Sequence, residues 1–150
     1  MRRHYLLAAF LLLLCSLTWA QNLFDRNLTP DGVRDALDAG ADVEARSLLG
    51  RTPLMFAAGA NRNPEVVQAL LDAGADVEAR NEYGWTPLMF AAEYNENPEV
   101  VQALLDAGAD ATAKNGEKET AWDLIQDNEA LKDSKAYWRL NDLRYRNARD

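Results

Sequence analysis

Carboxylates are the only side chains that this chain supplies in number for chemistry. There are 24 Asp and Glu against 16 Lys and Arg, with one histidine, His4, and one cysteine, Cys15. A lone thiol forms no internal disulfide, and a lone imidazole does not complete the usual zinc ligand sets. No segment alternates acids around a turn glycine as a calcium loop does. What remains is hydrolysis by a carboxylate pair, which needs an acid and a base about 5–10 Å apart in a pocket that separates their pKa values. Glu65, Asp72, Glu99 and Asp106 do not suit that role, because they recur on the polar side of a periodic apolar pattern and read as a solvated face. Glu44, Glu78, Glu82, Glu93, Glu96 and Glu117 are the acids expected nearer a binding face, where they would steer a basic partner. No catalytic residue, cofactor site or metal site is expected.

The elements that must position these groups follow from an internal duplication. Asn63 to Asp76 recurs unchanged at Asn97 to Asp110, a displacement of 34 residues. The same offset carries Thr52-Pro53-Leu54-Met55-Phe56-Ala57-Ala58 onto Thr86 to Ala92, and Asp38 to Arg46 onto Asp72 to Arg80. A shared period in three blocks marks a repeat architecture. Each unit predicts two helices. Thr52-Pro53 and Thr86-Pro87 start the first, with threonine capping free amides and proline supplying the φ of the first helical position. Asn63-Pro64-Glu65 and Asn97-Pro98-Glu99 start the second, with an acid in the first turn where the helix dipole favours it. Gly74 and Gly108 stop it, and Val66, Val67, Leu70 and Leu71 line one apolar stripe.

Shifting the register back places Thr29-Pro30-Asp31 on Asn63-Pro64-Glu65, a second helix without its first. Shifting it forward places Thr120 on Thr86, after which residues Asn128 to Leu143 are expected to form a long charged closing helix. Atypical ends of this kind shield an apolar stack from water. Ahead of them, Arg2 and Arg3 precede the apolar run Leu6 to Leu14, and Thr18-Trp19-Ala20 ends in a small residue. This reads as an export leader cleaved after Ala20. Its apolar core of twelve residues, Leu6 to Leu17, falls short of a spanning helix, which takes about 20. Leu14 before Cys15 fits lipoprotein processing poorly. The expected organisation is a leader at 1–20, a linker at 21–28, an N-terminal half-repeat at 29–46, full repeats at 47–80 and 81–114, and a closing repeat with tail at 115–150.

These features resemble the ankyrin repeat family: Gly84-Trp85-Thr86-Pro87-Leu88 with Ala91-Ala92, then Val100-Val101, Leu104-Leu105 and Gly108-Ala109-Asp110, and their equivalents one period upstream. The resemblance covers Thr29 to Leu143. It implies an all-α solenoid of stacked helix-turn-helix pairs joined by β-hairpin-like loops, binding proteins through loop tips and first-helix faces. Two departures stand out. Met55 and Met89 replace the family's usual histidine, and Asn61 and Asn95 sit near its customary glycine in a turn one residue longer than usual. A tetratricopeptide array shares the period of 34 but not the Gly-Ala-Asp link.

Tips are expected at Glu44 to Arg51, Glu78 to Trp85 and Thr112 to Glu119. The protein-binding candidates are Leu48, Leu49, Arg51, Glu82, Tyr83, Trp85, Glu93 and Tyr94, with Gly59 and Ala60 on the first helix. Large apolar groups at solvent-facing positions mark interaction surfaces, and Trp, Tyr and Arg dominate interface hot spots. Met55, Phe56, Met89 and Phe90 read as core packing. Trp85 and Tyr83 have a second reading as cover for the neighbouring loop and helix start.

The formal charge of −8 becomes −10 without the leader, because Arg2 and Arg3 leave with no acid. His4 and Cys15 leave too. Such an acidic domain repels nucleic acid and anionic membranes. The expected function is a non-catalytic, monomeric scaffold binding a protein, one with a basic surface, in the periplasm of a bacterium or secreted from another source. A carboxylate-dependent hydrolase and a self-assembling structural protein are the alternatives.

Overall fold

The computed structural model describes residues 23–146; the expected leader lies outside the described residues. Seven helices follow in order: α1 (Pro30–Asp38), α2 (Pro53–Ala60), α3 (Pro64–Asp72), α4 (Pro87–Tyr94), α5 (Pro98–Asp106), α6 (Ala121–Ile125) and α7 (Lys135–Arg146). No strand occurs among the described residues. Helices α2, α4 and α6 pack side by side as an inner layer, and α1, α3, α5 and α7 form the outer one. The duplicated stretches therefore sit at neighbouring levels, α2 against α4 and α3 against α5.

Local chemistry explains each start and stop. Thr52 Oγ1 accepts the Met55 N–H at 3.3 Å, and the Thr52 N–H donates back to Met55 Sδ at 3.5 Å. Thr86 and Met89 repeat this at 3.4 and 3.5 Å. A thioether stands where a capping box normally has a carboxylate or amide. Both methionines are also wholly buried, so they serve cap and core together. At α6 a true carboxylate returns: the Thr120 N–H donates to Asp123 Oδ2 at 2.8 Å. Asn63 and Asn97 cap α3 and α5, each accepting an N–H two residues on at 3.0 Å. Past both helices the chain reverses at Gly74 and Gly108, each at φ +93, a conformation cheap only for glycine.

Two ladders tie the levels together. Along the inner turns, Asn61 Nδ2 donates to Leu28 O at 2.8 Å, and Asn95 Nδ2 donates to Ala58 O and Asn61 O at 2.7 and 2.9 Å. Asn128 Nδ2 continues the series to Ala92 O and Asn95 O at 2.9 and 2.8 Å. Along the loops, Arg46 Nη1 donates to Arg80 O and Arg80 Nη1 to Lys114 O, both at 2.8 Å. Glu44 Oε1 accepts the Asp76 N–H at 3.0 Å, and Glu78 Oε1 the Asp110 N–H at 2.7 Å. These two carboxylates, expected as steering charges, are inter-repeat ties.

The ends differ from expectation in instructive ways. Residues 23–28, expected as a linker, cover the first full repeat: Leu23 is fully buried, and the Phe24 ring meets Phe56 edge-on at 6.1 Å. The closing helix begins at Lys135 rather than Asn128. Asn128 is drawn into the ladder instead, Asp133 takes φ 59, and Ser134 Oγ then accepts the Tyr137 N–H at 3.1 Å. Buried Leu131, Ala136 and Leu140 seal the stack.

Candidate functional site

The loop tips are stiff backbone carrying free side chains. Asn81 Oδ1 accepts the N–H groups of Tyr83 and Trp85 at 3.0 and 2.9 Å, and Asn115 does the same for Glu117 and Glu119 at 2.9 Å. In the first tip Ser47 Oγ takes that part, accepting the Arg51 N–H at 3.1 Å. Adjacent tips are bridged by the Gly116 N–H donating to Tyr83 O at 2.9 Å. The side chains stay available: Leu48 is 98% exposed, Leu49 43%, Tyr83 59% and Tyr94 57%. Glu82 is exposed as well.

Three adjoining depressions make one trough between these tips and the inner helices. Phe24, Leu48, Leu49 and Phe56 border the first, of about 510 Å³. Phe56, Gly59, Ala60, Phe90 and Tyr94 border the second, of about 340 Å³. Tyr83, Trp85, Phe90 and Tyr94 border the third, of about 180 Å³. Arg51 lines all three. Its guanidinium lies 5.0 Å from the Phe90 ring centroid, and its Nε is buried without a hydrogen-bond partner. Among the described residues it forms no ion pair.

Trp85 is a wall of this trough rather than a projecting contact. It is half-buried, 5.2 Å from Phe90 and stacked on Tyr94 at 5.9 Å. Removing it would unpack the α4 start, so Tyr83 and Tyr94 are the better places to probe contact. Glu93 is half-buried next to Tyr94 on α4 and lines none of the three depressions. Burial, then the charges of Asp127 and Glu119, push its carboxyl pKa up. Phe56 and Phe90, expected as core, also line the trough, Phe56 half-exposed and Phe90 buried.

Phe24 was not foreseen as part of this surface, and nothing in its local sequence marks it. For the rest, a signal does exist in the duplication. Between Asp38–Asp76 and Asp72–Asp110, each 39 residues long, seven positions differ. Five pairs fall on the tips and inner helix ends: Leu48/Glu82, Leu49/Tyr83, Arg51/Trp85, Gly59/Glu93 and Ala60/Tyr94. The sixth, Ser47/Asn81, closes the tip, and the seventh, Arg62/Glu96, forms an ion pair across the repeats. The helix-packing positions are the same in both copies, as are the trough positions Phe56 and Phe90, while the tip and inner-helix-end positions of the trough differ.

Stacked helix pairs with projecting loop tips define an α-solenoid, whose groove serves as a recognition surface. The family model for ankyrin repeats (3 copies) matches residues 20–115, and the chain belongs to the ankyrin repeat family. Such repeats are generally protein–protein interaction modules, and proteins built from them are typically non-catalytic scaffolds. A comparison with curated proteins finds no match. No helix among the described residues is long and apolar enough to cross a membrane.

Proposed function

We propose that the chain is an exported, monomeric, non-catalytic scaffold that holds one protein partner in the trough between its tips and inner helices. The observation carrying this reading is the coincidence of variation with exposure. Of the seven pairs at which the two near-identical repeats differ, three place large apolar side chains in solvent, at Leu48, at Leu49 and Tyr83, and at Tyr94. Exposed apolar groups cost solubility unless something covers them. Tips tied by Asn81 and Asn115 need little ordering on association, which favours affinity. The contact set of the proposal is Leu48, Leu49, Arg51, Glu82, Tyr83, Trp85, Glu93 and Tyr94, with Phe24 added as the end wall.

A photoreactive amino acid at Tyr94, in cells of the source, tests the surface. A single protein partner is expected to cross-link there and not from Gln68, which is exposed on an outer helix. Equal capture from both positions, or none from Tyr94, rejects the reading. Export rests on the leader, with the periplasm as the compartment in a bacterium. The protein recovered outside the cytoplasm should begin at Gln21; recovery from the cytoplasm with Met1 retained rejects that part.

A further inference from the structure

The trough is not uniform along its length. At the half-repeat end its border is aliphatic and aromatic, from Phe24, Leu48, Leu49 and Phe56. At the middle, the small residues Gly59 and Ala60 line the depression at the positions that Glu93 and Tyr94 hold one repeat later. Towards the closing repeat the inner positions turn acidic: Glu93, then Glu119 at the place of Trp85, and Asp127 one period beyond Glu93. Glu119 Oε2 accepts the Asn115 amide at 2.9 Å, and among the described residues none of the three is in an ion pair. Arg51 sits at the junction with a buried Nε that has no acceptor. Its guanidinium lines the trough with no ion pair among the described residues, and a donor-only group there favours a ligand that supplies a carbonyl oxygen. An extended chain offers its carbonyls freely; a helix has already engaged them.

Resting on the reading of the trough as a docking surface, we propose that its occupant is an extended peptide segment of the partner. A large apolar side chain enters between Phe56 and Phe90, a backbone carbonyl meets Arg51, and a Lys or Arg reaches Glu93, Glu119 and Asp127. The apolar anchor supplies most of the affinity, and the opposed charges set direction and discriminate against acidic segments.

The test uses the full chain and three labelled ten-residue peptides in a Gly/Ser background, read by fluorescence anisotropy. The parent peptide carries Leu-Phe followed by Lys-Lys; one control replaces both Lys by Glu, and the other replaces Leu and Phe by Ser. The parent is expected to bind, and each control to bind at least about tenfold more weakly. Glu93→Gln with Glu119→Gln should weaken the parent about tenfold, and raising the salt should weaken it further. Ala60→Tyr, which copies Tyr94 of the next repeat, should abolish binding by filling the middle of the trough. Circular dichroism melts confirm that both variants fold. Equal binding of the three peptides, an unchanged affinity in the Glu93/Glu119 variant, or no binding of the parent overturns the inference. If the parent fails while the Tyr94 cross-linker captures a partner, the peptide chemistry is wrong and the docking surface stands. If the Tyr94 cross-linker captures nothing, the docking surface itself is wrong.

Discussion

Glu93 shows how a single half-buried carboxylate can cost stability. Its carboxyl pKa is raised by burial and by Asp127 and Glu119, so the folded state holds its proton more tightly than the unfolded chain does. The linked stability is present below the ordinary carboxylate range and is lost as pH rises through the raised pKa. Glu93→Gln should therefore be the more stable form at pH 7 in urea unfolding, with the advantage vanishing in mild acid. A second residue-scale strain lies at Lys118, which adopts φ 69 where Gly50 and Gly84 take φ +69 and +74 in the earlier tips. Lys118→Gly is expected to stabilise the fold by on the order of 1 kcal/mol, read from the denaturation midpoint.

At the scale of the element, the longer turn between the helices is an inter-repeat clasp. An asparagine near the customary glycine looks at first like a loss of backbone freedom. Its amide instead satisfies carbonyls of the level below, and Asn95 does so while 2% exposed. Its Oδ1 also accepts the Asn97 N–H at 2.8 Å, which sets the cap of α5. Asn95→Ala would leave the carbonyls of Ala58 and Asn61 without this donor, and should cost about 2–4 kcal/mol of unfolding free energy. The same substitution at exposed Glu99 should shift the midpoint little. The methionine caps tell a related story: a weak sulfur acceptor replaces a strong one, and full burial of Met55 and Met89 compensates.

For the whole molecule, stability is a sum of levels and the contacts between them, so the ends matter as much as the middle. Helix α7 covers the last level through Ala136 and Leu140, and Arg139 reaches back to Gln102 Oε1 at 2.9 Å and to Asp106. Ending the chain before Lys135 would uncover Trp122, whose ring lies 4.8 Å from that of Tyr137. The truncated protein is expected to lose several kcal/mol and to associate on sedimentation more strongly than the full chain. The half-repeat end uses a cheaper device, with Leu23 and Phe24 standing in for a missing helix.

The register of the repeats, the caps at Thr52, Asn63, Thr86 and Asn97, and the stops at Gly74 and Gly108 were all legible from the chain alone. They depend on interactions within a few residues, which a linear pattern records directly. That the tip and inner-helix candidates share one side was legible for the same reason, since the period places equivalent positions together. What the tertiary structure alone decided involves partners about one repeat apart: that Glu44 and Glu78 tie neighbouring levels, and that Asn128 leaves the closing helix to join a ladder. Phe24 joins the trough only because the stack brings Phe56 and Leu48 beside it. Local rules state which residues start a helix; only packing states which side chains remain for a partner.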